Sequence, residues 1–248
     1  MSAEILGALT LSDVATDVVI EDEYGSSWND KGYTIPHMDG VRLDSQAPYG
    51  PRTITLKTVL RYTAAGGTVT HSDGAAGHVF ENLSKIRKEF NKGSGLVTFT
   101  RTAPHVGNVR ALVKLLDDPV QDRGARHVVR WVMTCPSGSW QDASETSEAT
   151  SGVTTGGNTR IHDPKIVFAS ATTITHTHAD GLIETITAAA GPTYPVTVDV
   201  GAGTILDNGS VDVRGDVTFS HAHWLRLDPD GLQTFSGTAT INYRNRWA

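Results

Sequence analysis

Two stretches near the end of the chain decide the fold class: Phe219-Ser220-His221-Ala222-His223-Trp224-Leu225-Arg226-Leu227-Asp228-Pro229-Asp230-Gly231, and Thr238-Ala239-Thr240-Ile241-Asn242-Tyr243-Arg244-Asn245-Arg246-Trp247. Trp224-Leu225-Arg226-Leu227 reads as a strand. Pro229-Asp230-Gly231 then supplies turn chemistry, because Pro presets φ and Gly accepts a positive one. Thr238 to Trp247 reads as a second strand, with Tyr243 and Trp247 inside the pattern and anchoring the end.

Working back, the second half reads as short strands throughout, over 165–168, 172–177, 184–188, 193–200, 203–205, 211–213, 224–227 and 238–247. Asp180-Gly181, Asn208-Gly209 and Asp230-Gly231 mark hairpin turns. Strands so spaced predict a β-sandwich or jelly roll. In the first half, Ile54, Leu56 and Thr58 alternate with Thr53, Thr55 and Lys57, a strand with one face buried. A strand is also expected over 14–21, and others over 96–101, 109–116 and 126–134. One helix is expected over 78–91, with Val79, Phe80, Leu83, Ile86 and Phe90 on one face and Gly93 and Gly95 stopping it. Residues 137–159 are rich in Ser, Thr and Gly and read as a linker or long exposed loop. The expected division is a first domain over 1–136, this linker over 137–159, and a second domain over 160–248.

Composition narrows the function. The 248 residues are 19% charged and 38% hydrophobic, a globular balance. The net charge of −6 argues against nucleic acid as a partner, since a phosphate binder needs a basic face. Lys85, Arg87, Lys88 and Lys92 cluster, but at the end of the expected helix, where cations offset its dipole. Cys135 is alone, so no disulfide within the chain is expected. The opening Met1-Ser2-Ala3-Glu4 lacks the features of a signal peptide, and no apolar run approaches the ~18 residues of a membrane span. The expectation is assembly in a reducing cytoplasm, with no membrane as a partner.

Three kinds of chemistry compete. His176-Thr177-His178 and His221-Ala222-His223 are each His-x-His, and residues two apart on a strand share a face. Each pair therefore offers two imidazoles to one metal ion. With Glu184, the first pair resembles the His-x-His…Glu arrangement of cupins, although the spacing to Glu184 is longer and Pro229-x-Gly231 lacks the following His. The preferred reading places both pairs on a solvent-facing side of a strand, satisfied by water. His176, His178, His221 and His223 stay as metal candidates, and no metal or cofactor is expected. For nucleophilic catalysis there is no Gly-x-Ser-x-Gly elbow, and Asp117-Asp118-Pro119, Asp228 and Asp230 read as turn and capping residues. Gly66-Gly67 and Gly156-Gly157 lack the Lys-Ser/Thr of a phosphate loop. For sugar binding, Trp28, Trp131, Trp140, Trp224 and Trp247 offer stacking surfaces, but most lie in strand patterns where a core role is the default. Trp140, in the polar segment, is expected to clamp the domains together or to contact a neighbouring subunit, with a ligand platform as the lesser alternative.

Tyr49-Gly50-Pro51-Arg52-Thr53-Ile54-Thr55-Leu56-Lys57-Thr58-Val59-Leu60 with the helix after it, and the C-terminal half ending in Tyr243-Arg244-Asn245-Arg246-Trp247, resemble the distal tail proteins of long-tailed bacteriophages. The resemblance covers most of the chain through loose motifs. It implies a mostly-β chain: an N-terminal β-sandwich or split-barrel belt domain with one α-helix, then a galectin-like β-sandwich. It also implies a homohexameric adaptor ring in the virion, at the tail tip of a siphovirus, and no enzyme. The ring would join the tail tube protein to the tip hub or tail-associated protein of the baseplate, with tape measure and receptor-binding proteins as further partners. Arg52, Ile54 and Trp140 are the interface candidates. A glycan-binding host-attachment module is the alternative reading, and a metal-binding cupin-like barrel the third.

Overall fold

The computed structural model describes residues 4–23, 33–34, 41–42, 51–63, 74–92, 95–103, 106–121, 127–222 and 224–247. Trp28, Gly66-Gly67, Asp73, Gly93 and His223 lie outside the described residues. The chain divides into two compact units, Met1–Asn29 with Gln46–Ala143, and Asp30–Ser45 with Ser144–Ala248.

In chain order the first unit holds β1 (Ile5–Leu6), β2 (Leu9–Thr10), the single turn α1 (Leu11–Val14) and β3 (Ala15–Glu23). The short ladder of β4 (Tyr33–Thr34) with β5 (Val41–Arg42) falls with the second unit. The first unit continues with β6 (Arg52–Leu60), α2 (Gly74–Phe90), β7 (Leu96–Ala103), β8 (Gly107–Leu115), β9 (Val120–Gln121), β10 (Val128–Cys135) and β11 (Trp140–Asp142). Its sheet runs β2-β1-β7-β8-β10-β6-β3. β6 lies between β10 and β3, antiparallel to both, with Ile54 opposite Met133. The expected alternation is present except at Thr55: Ile54, Leu56, Thr58 and Leu60 are buried and Lys57 is exposed, but Thr55, on the other face, is buried too. Buried Thr58 is satisfied by the Trp131 indole, whose Nε1–H donates to its Oγ1 at 3.0 Å. Phe90 of α2 stacks on Trp131 at 5.8 Å between ring centroids.

The helix departs from the expectation in one respect. Leu83, Ile86 and Phe90 are buried, but Phe80 is 70% exposed and points away from that face. At 3.6 residues per turn the buried stripe runs through His78, Asn82, Leu83, Ile86, Glu89 and Phe90, and Phe80 falls outside it. The turn α1 is an additional helical element that the sequence pattern did not show.

The second unit holds β12 (Thr146–Ala149), β13 (Thr154–Thr155), β14 (Lys165–Phe168), β15 (Thr172–Thr177), β16 (Ile183–Ala188), β17 (Val196–Asp199), β18 (Thr204–Leu206), β19 (Val217–Phe219), β20 (Gly231–Leu232), β21 (Thr234–Ser236) and β22 (Thr240–Tyr243). One sheet runs β12-β22-β14-β17-β18 and another β19-β16-β15-β21. Ile166, Phe168, Val198 and Ile241 from the first share one apolar core with Ile174, Ile186 and Val217 from the second. Two sheets closing on one core make a β-sandwich.

Three expectations about strands are corrected here. Residues 137–159 are not an extended linker: β11, β12 and β13 all lie within them, and Val153 is fully buried. Thr150 Oγ1 donates to Gly237 O at 2.8 Å, and Thr155 Oγ1 to Asp228 O at 2.8 Å. These two hydroxyls, of a kind that made the segment look like a loop, are hydrogen-bonded into the sandwich. Trp224 does not start a strand; its φ is +64°, outside the extended region, and its ring stacks on Phe219 at 4.8 Å. Leu227 contributes only an isolated bridge to Ile161. The final strand is also broken, with β22 ending at Tyr243 and pairing resuming at Arg246–Trp247.

Candidate functional site

β15 and β16 form a hairpin in which His176 pairs with Glu184. Its loop closes where the His178 N–H donates to Leu182 O at 2.8 Å and Gly181 N–H to His178 O at 2.9 Å, with Gly181 at φ +85°. The Asp180-Gly181 turn read from the sequence does this work. Because strand side chains alternate, His176 and His178 share one face with Glu184 opposite. That face is interior: His176 is 1% exposed, His178 3% and Glu184 0%. The water-satisfied surface expected for this pair is therefore replaced by a buried cluster. His221 stands apart, partly exposed, with Nδ1 2.9 Å from Ser220 Oγ. His221 does not share the burial of His176 and His178.

Asp228 completes the cluster from the segment after Leu227. His178 Nδ1 lies 3.1 Å from Asp228 Oδ1, and His178 Nε2 3.1 Å from Glu184 Oε2. The second approach is too bent to be a hydrogen bond and is an electrostatic contact. Glu184 also accepts from the Arg226 backbone N–H at 3.0 Å and from Arg226 Nε at 3.4 Å. Asp228 Oδ2 accepts from the Ala179 N–H at 2.9 Å, and Oδ1 lies 3.3 Å from Arg160 Nε. Arg160 in turn reaches Asp180 at 3.4 Å. Charges alternate along Arg226, Glu184, His178, Asp228 and Arg160, as a buried ionic network requires.

Gln233, which no sequence motif marks, fixes the remaining atoms. Its amide N–H groups donate to Thr155 Oγ1 at 3.1 Å, Asp228 O at 3.2 Å and Gly231 O at 3.1 Å. Its Oε1 accepts from the Asp228 N–H at 2.9 Å and faces His176 Nε2 at 3.2 Å. Phe235 stacks on His176 at 4.5 Å between centroids.

The two histidines titrate in opposite senses. Burial pushes the His176 pKa down to about 4, and the neighbouring charge of His178 adds to this, against Glu184 and Asp228. Burial also presses His178 downward, but Glu184 and Asp228 outweigh it and raise its pKa. Burial raises the Asp228 carboxyl, yet the Ala179 N–H, His178 and Arg160 together hold it below the usual value. At neutral pH His176 is thus neutral, beside a His178 whose protonated form two carboxylates favour.

The expected interface residues lie inside the first unit. Arg52 is 3% exposed, Ile54 0% and Trp140 4%. β6 has a partner strand on each side, so its edge offers nothing to a neighbour. Trp140 packs on Phe99 at 6.0 Å between centroids, with the Arg101 guanidinium 4.3 Å over its ring. Trp131, Trp140 and Trp224 are buried and Trp247 is half-buried, so the described tryptophans form no exposed sugar platform.

The first unit instead exposes other apolar side chains: Val19, Tyr62, Phe80, Leu96, Leu112, Leu116 and Val120. In the second unit the exposed large apolar residues are Ile183, Val211 and Leu232. Tyr62, Val79, Phe80, Leu83 and His127 line a groove of about 400 Å³ beside α2. Tyr62 Oη and His127 Nδ1 meet at 2.5 Å on its wall. None of the described helices is long and apolar enough to cross a membrane.

No protein-family model matches this chain, and no curated protein is similar to it in sequence. A solved structure is similar to it along the full length of both chains: the Dit protein (gp 19.1) of phage SPP1, described as a paradigm of the hub adsorption apparatus in phages that infect Gram-positive bacteria. The TM-score is 0.62, the sequence identity 12%, and 100% of each chain is covered. The chain therefore has the mostly-β fold of a phage distal tail protein.

Proposed function

We propose that this chain, built on the distal tail fold, is a structural component of a phage tail tip. It works as a homohexameric adaptor ring in the virion, joining the tail tube to the baseplate or tip hub, and it is not an enzyme. The observation that carries this reading is the likeness to the SPP1 Dit protein over the whole of both chains, which takes in both units. A fold alone does not assign a function. The exposed surface of the first unit gives separate support: seven large apolar side chains, Val19 to Val120, stand in solvent there against three in the second unit, among the described residues. Tyr62 and Phe80 line one groove with Val79 and Leu83, and apolar side chains gathered in this way suit a contact with another protein. A ring needs two complementary patches on each subunit, and a closed rotation stops its growth.

In this reading the first unit forms the belt and the β-sandwich is the galectin-like domain. The tail tube protein and the hub protein are the partners, with tape measure and receptor-binding proteins beyond them. The test is the solution mass of the purified chain by light scattering, followed by negative-stain class averages. A particle of six times the 26.5 kDa chain mass with six-fold averages is the expected result. A chain that stays monomeric both alone and with tube and hub proteins would overturn it.

A further inference from the structure

We infer that His176, His178 and Asp228 form a binding site for a divalent transition-metal cation of the zinc kind, inside the C-terminal β-sandwich. One ligand atom from each lies within 4.8 Å of the others, and all three residues are buried. Two imidazoles and one carboxylate oxygen are a donor set that such ions take.

Two observations beyond proximity point to a cation. The first is a bare lone pair. Gln233 donates both amide hydrogens to oxygen acceptors, so its Oε1 is fixed as the atom facing His176 Nε2. That Oε1 can only accept, so His176 carries its proton on Nε2. Nδ1 is left as an unprotonated donor atom, and it has no hydrogen-bond partner although the residue is 1% exposed. Buried polar atoms are rarely left so.

The second observation is the contact between His178 Nδ1 and Asp228 Oδ1 at 3.1 Å. Two electron-rich atoms at that distance need a positive particle between them, either a proton or a metal ion. Two donors each about 2 Å from a zinc ion stand about this far apart. A metal there displaces the His178 ring proton on Nδ1 to solvent and leaves the Nε2–H in electrostatic contact with Glu184 Oε2, 3.1 Å away. A carboxylate behind a ligating histidine orients the ring and raises its basicity. In the metal-free chain the Arg160 guanidinium, 3.3 Å from Asp228 Oδ1, supplies part of the positive charge, and its contact with that oxygen gives way to the metal.

The site ties β15 to the segment at Asp228 and so acts as a staple within the sandwich. It is independent of the ring assembly, and either reading stands without the other.

The experiment uses the whole chain, stripped with a chelator, incubated with excess zinc chloride and passed through gel filtration before elemental analysis. The expected result is one zinc per chain in the wild type and in His221→Ala, and none in His176→Leu. His176→Leu is the informative variant because it leaves the His178, Glu184 and Asp228 contacts in place; its circular dichroism and thermal transition show whether it is folded. A zinc-free wild type, or equal zinc in folded His176→Leu, overturns the proposal. Cobalt(II) gives a second readout that needs no variant. Visible ligand-field absorption from one low-symmetry cobalt per chain is expected, and a spectrum unchanged from aqueous cobalt overturns the site.

Discussion

His178 Nε2 stands 3.1 Å from Glu184 Oε2, with both side chains inside the β-sandwich at 1% and 0% exposure. A cation and an anion taken out of water together are stable only while both remain. Glu184 answers to two cations, His178 and Arg226, from opposite ends of its carboxylate.

Glu184→Ala therefore removes the counter-charge of both. The expected cost to the stability of the second unit is about 3–5 kcal/mol, the range for breaking a buried pair from one side. Urea denaturation followed by intrinsic tryptophan fluorescence, to which Trp224 contributes from the second unit, reads it as a lower midpoint. A loss no larger than that of an exposed substitution, about 0.5 kcal/mol, would mean that water reaches the pair.

The pH dependence of the chelator-treated chain follows from the two histidines, which act with opposite signs. His178 has a raised folded pKa, so its contribution is full below the unfolded value of 6.5 and is lost as pH rises through the folded pKa. His176 is depressed to about 4, so the unfolded chain takes up a proton below 6.5 that the folded chain refuses. Its share of stability is full above 6.5 and is lost as pH falls toward 4, by roughly 2–3 kcal/mol. Both contributions are near full only close to 6.5, where the two histidines together are expected to stabilise the sandwich most. His176→Leu is expected to flatten the acid limb between 6.5 and 4 while leaving the alkaline limb unchanged, in unfolding free energies measured across that range.

Legibility in the sequence tracked the distance over which each interaction acts. The alternation of Ile54, Leu56 and Thr58 is a local property of one strand, and β6 carries it as read. The spacing of His176 and His178 is equally local, so their shared face was legible. Their burial was not, because it depends on Asp228, fifty residues along, and on Gln233, whose amide matters only once the turn at Gly231 has folded beside it. Residues 137–159 were misread for a related reason. Thr150 and Thr155 look like loop residues until their hydroxyls find the carbonyls of Gly237 and Asp228. Arg52, Ile54 and Trp140 were placed at an interface because a strand pattern does not reveal whether its edges are already paired.

That burial changes which substitutions test assembly. Ile54→Asp puts a carboxylate into the fully buried centre of the first unit and is expected to prevent folding, so it reports nothing about a ring. Phe80→Asp alters a side chain that is 70% exposed on the wall of the groove beside α2. It is expected to change stability by less than about 0.5 kcal/mol and to block association. Light scattering and a thermal melt on the same sample separate the two effects. A folded Phe80→Asp chain that assembles as the wild type does would move the interface off this groove.

Gly237 makes the last prediction, since it combines two independent constraints at one position. Its φ of +80° lies in the region that L side chains avoid. An added Cβ would also stand 2.1 Å from the carbonyl oxygen of Thr173, a backbone atom of the neighbouring strand β15. Neither constraint relaxes cheaply. The carbonyl belongs to a paired strand, and the Gly237 carbonyl itself accepts from Thr150 Oγ1 at 2.8 Å, which holds β12 to the sandwich. Gly237→Ala is expected to cost more than the ~1–2 kcal/mol of a left-handed residue alone. The loss should fall on the second unit, whose strand β15 carries both His176 and His178, so zinc retention should fall with it. Hydrogen exchange resolved along the chain reads this directly, as faster exchange over 172–177 with the amides of 128–135 unchanged. Uniform loss of protection across both units would instead show that the two unfold as one.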